Sequence, residues 1–145
     1  MIHGVDTSFL IAVTQPQHPV YAHGRLLLER TISAKGKLAL TPQVLAEFLH
    51  IITDGNRFES PLTMARACEL VDKWWRAAEV VQVFPDAASV KLCLEWMREH
   101  RLGRKRILDT MLAATFSTNA IASVLTLNER DFRTVGGFAI LSPRG

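Results

Sequence analysis

Cysteine is scarce in this 145-residue chain: only Cys68 and Cys93 are present, far apart, each inside a stretch that reads as helical. That speaks against a disulfide framework and a cysteine zinc site, and it fits a reducing, cytoplasmic compartment. No uninterrupted apolar run reaches the roughly 18 residues of a membrane-spanning helix, so no membrane is expected among the partners. The opening Met1-Ile2-His3-Gly4-Val5-Asp6 lacks the basic segment, apolar stretch and small-residue cleavage site of a secretory signal. Histidines are few and scattered. His3, His18, His23, His50 and His100 form no close pair flanking a helical glutamate, which disfavours a zinc hydrolase. Also missing are a GxSxG nucleophile elbow, a phosphate-cradling lysine loop and a GxGxxG after the first strand. Gly136-Gly137 is too short and too late to cradle phosphates.

What the chain does contain is the balance of a globular protein, 48% hydrophobic and 21% charged, at a length that suits one domain over residues 1–145. The formal charge of +3 is mild, but Arg98, Arg101, Arg104, Lys105 and Arg106 crowd one segment. Such a run fits either a solvated helix end or a contact to nucleic-acid phosphates.

The pattern along the chain alternates. Ile2 to Val5 reads as a buried strand, followed by Asp6-Thr7-Ser8 and a first helix capped by one of those polar residues. Pro19 to Ala34 reads as a helix and Lys37 to Leu40 as a second strand. Thr41 at the cap position and Pro42 at the first helical position announce a helix to Ile52. Pro61 to Ala78 predicts an amphipathic helix with Leu62, Ala65, Leu70, Val71 and Trp74 facing inward. Val80 to Phe84 is a β-rich strand, Ala87 to His100 a helix broken by Gly103, and Ile107 to Asn119 a helix with Asp109 in its first turn. Ala122 to Thr126 and Phe138 to Leu141 complete the strands, the former opening into polar Asn128-Glu129-Arg130-Asp131. Strands alternating with helices predict an α/β fold whose parallel sheet is covered on both faces, with ligands collecting beyond the strands' carboxyl ends.

Four acids stand in suggestive places: Asp6 after the first strand, Glu47 in the helix after the second, Asp109 early in a helix, and Asp131 after the fourth strand. Taken singly, Asp6 fits a helix cap and Asp109 a helix-dipole complement. Glu47 lies among Leu45, Ala46, Phe48 and Leu49, where an unpartnered carboxylate is costly to desolvate, so it should meet a cation or water. Asp109 leads into Met111-Leu112-Ala113-Ala114 and needs similar compensation, for which Arg104, Lys105 or Arg106 is at hand. Carboxylates that converge are reconciled by a hard divalent cation, Mg²⁺ or Mn²⁺.

These residues resemble the PIN-domain nucleases, and within them the VapC toxins of VapBC toxin–antitoxin pairs. Val5-Asp6-Thr7-Ser8-Phe9-Leu10 is similar to the family's opening strand and D-T-S turn. Thr41-Pro42-Gln43-Val44-Leu45-Ala46-Glu47 is similar to its second motif. Ile107-Leu108-Asp109-Thr110 is similar to its third, with Thr110 where alanine is common, and Thr126-Leu127-Asn128-Glu129-Arg130-Asp131-Phe132 to its closing T-x-N-x-x-D-F element. The resemblance implies a PIN-like three-layer α/β/α fold with a mainly parallel sheet of four to five strands. It implies a Mg²⁺-dependent endoribonuclease, with Mn²⁺ able to substitute, whose catalytic and metal-binding acids are Asp6, Glu47, Asp109 and Asp131, Asn128 being the rival for the fourth place. It further implies an RNA substrate, a cognate antitoxin and a homodimer.

With that reading, Arg101, Arg104, Lys105 and Arg106 are expected to hold the RNA backbone. Thr7, Ser8 and Thr110 are either ligand contacts or turn and cap residues. Trp74, Trp75 and Trp96 fit the core better than base stacking, and Phe48, Leu49 and Ile52 are either core or a groove for an antitoxin helix. Two rivals stand beside the nuclease: a non-catalytic module of the same fold, and a small-molecule phosphoesterase with an aspartate after strand one. Ser8 occupies the position where haloacid-dehalogenase-like phosphatases resemble one another by a second aspartate.

Overall fold

The computed structural model describes residues 1–144. Its strands are β1 (Ile2–Val5), β2 (Lys37–Leu40), β3 (Val80–Gln82), β4 (Ser123–Leu125) and β5 (Ala139–Leu141). Between them run α1 (Thr7–Thr14), α2 (Tyr21–Ser33), α3 (Pro42–Ile52), α4 (Met64–Arg76), α5 (Ala87–Glu99), α6 (Ile107–Thr118) and α7 (Glu129–Arg133), with a single 3₁₀ turn at Arg104–Arg106 leading into α6.

Every pairing in the sheet is parallel and the strand order is β3-β2-β1-β4-β5. Right-handed crossovers that step from β1 to β2 to β3 place α1 to α4 on one face. The chain then returns past β1 to β4, which places α5 and α6 on the other. The helix contacts divide in the same way, with α1, α3 and α4 packed in series, α2 against α1, and α6 joining α5 and α7. The expected three layers and mainly parallel sheet are present, and the direction of winding reverses between β1 and β4. A cleft beyond the strand ends is built into such a reversal.

Local chemistry accounts for the elements nearest that cleft. The Asp6 side chain caps α1 by accepting from Thr7 N, and Thr41 caps α3 by accepting from Val44 N, with Pro42 in the first turn. Phe9, Phe48, Phe116 and Phe132 are the bulkiest fully buried side chains, and they clamp the helices to the sheet. Gly4 on β1 makes room for one of them: a Cβ there would lie 2.6 Å from the Phe116 ring.

Several local expectations are corrected. On α4, Ala65 is exposed and Ala67 is the buried residue, while Leu62, Val71 and Trp74 pack at the core's edge. The helix begins at Met64 rather than Pro61, so the inward stripe runs through Ala67, Val71 and Trp74 at spacings of four and three. Leu70 lies beside that stripe, lining a shallow hollow with Lys73, Trp74 and Ala77. β3 ends at Gln82, and Phe84 turns outward, its ring edge-on to Trp75. Phe48 and Ile52 are fully enclosed, so they form core and no groove. The polar segment after β4 is the helix α7, carrying Asp131 in its first turn. No helix among the described residues is long and apolar enough to cross a membrane.

Candidate active site

Asp6 leaves the end of β1 and is 3% exposed. An ionised carboxylate so enclosed needs donors, and it has them. Thr7 N donates to Oδ1 at 2.9 Å, while Ser8 Oγ and Thr126 Oγ1 each donate to Oδ2 at 2.7 Å. The Asn128 amide stands 3.5 Å from the same Oδ2. Burial raises the Asp6 pKa above the ordinary carboxylate value, the three close donors oppose the rise, and Glu47 adds repulsion. Ser8 also receives Leu127 N at 3.0 Å, which ties the β1 turn to the β4 turn across the reversal.

Glu47 reaches the same cleft from α3 and is half-buried. Thr7 Oγ1 donates to one of its oxygens at 3.3 Å, and Gln43 Nε2, one helical turn earlier, donates to the other at 3.0 Å. Gln43 Nε2 also donates to the Leu108 carbonyl at 2.9 Å. It thereby links α3 on one face to α6 on the other. Gln43 was not singled out in the sequence, although its i,i+4 spacing to Glu47 is visible there.

Asp109 enters from the first turn of α6. Its pKa is pushed up to about 7, first by desolvation, then by repulsion from Asp6, a hydrogen bond with the Asp131 carboxyl, and repulsion from Asp131 and Glu47. Asp131 is held from behind. Arg106 Nε lies 3.3 Å from Asp131 Oδ1, close enough for an ion pair though off the hydrogen-bond direction, and Arg106 Nη2 donates to the Asp131 carbonyl at 3.0 Å. Arg106 thus serves Asp131, not Asp109 directly. Thr110 spends its hydroxyl on the Arg106 carbonyl, as a helix residue does.

The cleft where these groups meet has a volume of about 530 Å³, within the range of roughly 300–1,000 Å³ usual for ligand sites. Asp6, Glu47, Asp109 and Asn128 line it, whereas Asp131 stands behind Asp109 and outside the lining. Arg101, Arg104 and Lys105 are exposed near the start of α6, also outside the lining. The cations that do line the cleft are Arg57 and Arg144, with His18 beside them. Sequence reading missed all three in this role, because they lie on separate loops with no pattern to join them. Trp74, Trp75 and Trp96 pack against the core, away from the cleft lining.

Among the described residues, no three His, Cys, Asp or Glu side chains already stand as a metal-holding cluster. The donor chemistry nevertheless fits a hard divalent cation. Asp6, Glu47 and Asp109 repel one another across a partly enclosed space, and Asp109 relieves the repulsion by keeping its proton. Carboxylate oxygens are the ligands Mg²⁺ and Mn²⁺ prefer.

The PIN domain family model matches residues 5–137, which contain all these acids. Among curated proteins none matches in sequence. Among solved structures, this chain is similar to VapBC2 from Rickettsia felis bound to a DNA fragment of its promoter, at 15% identity, TM-score 0.69, and 98% coverage of each chain. It is also similar to VapC20 of Mycobacterium tuberculosis, a sarcin–ricin loop cleaving toxin, at 18% identity, TM-score 0.71, with 96% of this chain and 97% of that one covered. A toxin–antitoxin complex from Klebsiella pneumoniae aligns at 14% identity and TM-score 0.58, over 97% of each chain.

Proposed function

The chain belongs to the PIN domain family, and from that premise we propose that it is a Mg²⁺-dependent endoribonuclease acting as the toxin of a toxin–antitoxin pair. The observation that carries this reading is the convergence of Asp6, Glu47 and Asp109, from three elements on both faces of the sheet, on one cleft at the winding reversal. The similar structures add the biological class, since one is described as a toxin that cleaves the sarcin–ricin loop and another as a toxin–antitoxin complex.

In this mechanism Asp6, Glu47 and Asp109 would hold the ion, and Mn²⁺ could replace Mg²⁺. An ion held there would supply positive charge to the scissile phosphate and would lower the pKa of a water beside it. Asp6 is the rigid member, locked by its hydrogen bonds to Thr7, Ser8 and Thr126. Glu47, less enclosed, orients the attacking water and accepts its proton at a carboxylate oxygen. Asp109, whose pKa is pushed up to about 7, would give up its proton on binding the ion, and Asp131, anchored by Arg106, fixes its orientation. Asp131 thereby completes the acidic group from behind, with Asn128 at the rim beside Asp6. Arg101, Arg104 and Lys105, exposed near the start of α6, would give RNA a salt-sensitive, sequence-independent hold. We extend the reading to a cognate antitoxin that covers the cleft and to a homodimer.

The test is cleavage of a mixed cellular RNA pool by antitoxin-free protein in Mg²⁺, beside EDTA and a folded Asp109→Asn variant. Discrete cuts that disappear with chelator and in the variant are the expected result. Intact RNA together with no detectable Mg²⁺ binding would overturn it in favour of a non-catalytic module of the same fold.

A further inference from the structure

An RNA phosphate entering a cleft lined by Asp6, Glu47 and Asp109 meets negative charge before any ion offsets it, so the strand on either side of the cut needs its own cationic hold. The exposed arginines at the start of α6 do not line the cleft. Three other groups do. His18 comes from the connection between α1 and α2, Arg57 from that between α3 and α4, and Arg144 from the segment after β5.

None of the three is consumed by the acids. Among the described residues Arg57 is paired only with Asp54 of its own loop, at 3.4 Å and with more than half of its side chain exposed; so loose a surface pair costs little to exchange. Arg144 makes no ion pair among the described residues. It lies close enough to His18 to depress that imidazole's pKa, although burial is the larger cause. His18 Nδ1 accepts Val20 N at 3.2 Å, so in the neutral ring the proton sits on Nε2, which has no partner among the described residues. Two guanidinium groups, one of them only loosely paired to Asp54, and one N–H donor therefore share a cleft with Asp6, Glu47 and Asp109 without pairing to them.

We propose that Arg57, Arg144 and His18 form a phosphate subsite, separate from the acids, that grips the RNA backbone next to the scissile phosphate. The guanidinium forks suit a phosphodiester's two free oxygens, and His18 adds one neutral hydrogen bond. The inference rests on the ribonuclease reading but makes a demand of its own: the grip operates without metal.

The experiment is fluorescence anisotropy of a labelled eight-nucleotide single-stranded RNA with the full chain in EDTA, across a salt series. Arg57→Ala and Arg144→Ala should each weaken binding about tenfold, as one lost charge-assisted contact does. Each should also reduce the slope of log K against log salt by about 0.7. His18→Ala should weaken binding with the slope unchanged, because the ring is neutral above pH 7. In Mg²⁺, both arginine variants should raise KM with kcat retained. Circular dichroism verifies folding, which these exposed arginines should not disturb. Wild-type binding with variants of unchanged affinity and slope would overturn the subsite alone. Absence of wild-type RNA binding, with or without Mg²⁺, would overturn the ribonuclease reading and the subsite together.

Discussion

A carboxyl that keeps its proton to about pH 7 makes Asp109 a reporter on its own surroundings. Its folded value lies above the unfolded one of 3.8, so between those values the folded state binds more protons than the unfolded state. The contribution to stability is complete below the unfolded value and is lost as pH rises through the folded one. Asp6 is shifted in the same direction and adds to the trend. In EDTA, urea midpoints should fall from pH 4.5 to 7.5, and Asp109→Asn should flatten that decline. Thr126 acts in the opposite sense, donating to buried Asp6 at 2.7 Å. Thr126→Val keeps the shape and removes the donor, so at pH 7.5 it should cost about 1–3 kcal/mol, measured by urea unfolding, and should weaken Mg²⁺ binding in calorimetry. At residue scale the sequence showed the acids but not their states. Burial and mutual distance set a pKa, and neither is written in the order of residues.

Among the elements, β1 and α6 meet at a single tight point. Phe116 of α6 lies over Gly4 of β1, where an added Cβ would sit 2.6 Å from the ring. The strand that delivers Asp6 and the helix that delivers Asp109 thus share one contact. Gly4→Ala must push α6 outward or twist Phe116 off its rotamer, at about 1–3 kcal/mol. A lower urea midpoint, with Mg²⁺ affinity reduced alongside, is the outcome to look for; unchanged stability would show that α6 yields freely. Most elements were legible because caps and breakers are local: Thr41-Pro42 starts α3 and Gly103 precedes the turn into α6. The inward face of α4 was misread at Ala65 because the helix lies at the margin of the core, where most of its side chains stay wet and the apolar stripe is thin.

Across the whole molecule, carboxylates gathered at the sheet's winding reversal form a charged strain that a divalent ion should relieve. Since the ligands bind as carboxylates, Mg²⁺ should raise the melting temperature more at pH 8 than at pH 5. At about 100 times Kd the stabilisation is about 2.7 kcal/mol, enough for a shift of several degrees in thermal scans. An equal shift at both pH values would mean that the ion binds elsewhere.

By itself the sequence determined the alternation of strands and helices, the capped turns, and the order in which Asp6, Glu47, Asp109 and Asp131 occur, since periodicity and capping act over a few residues. Only the tertiary structure decided which acids share the cleft and which one, Asp131, stands behind with Arg106. It also brought Gln43 across to α6, and His18, Arg57 and Arg144 into one cleft. Those neighbours come from distant loops, and the winding of the parallel sheet, not any local pattern, is what brings their side chains within reach of one another.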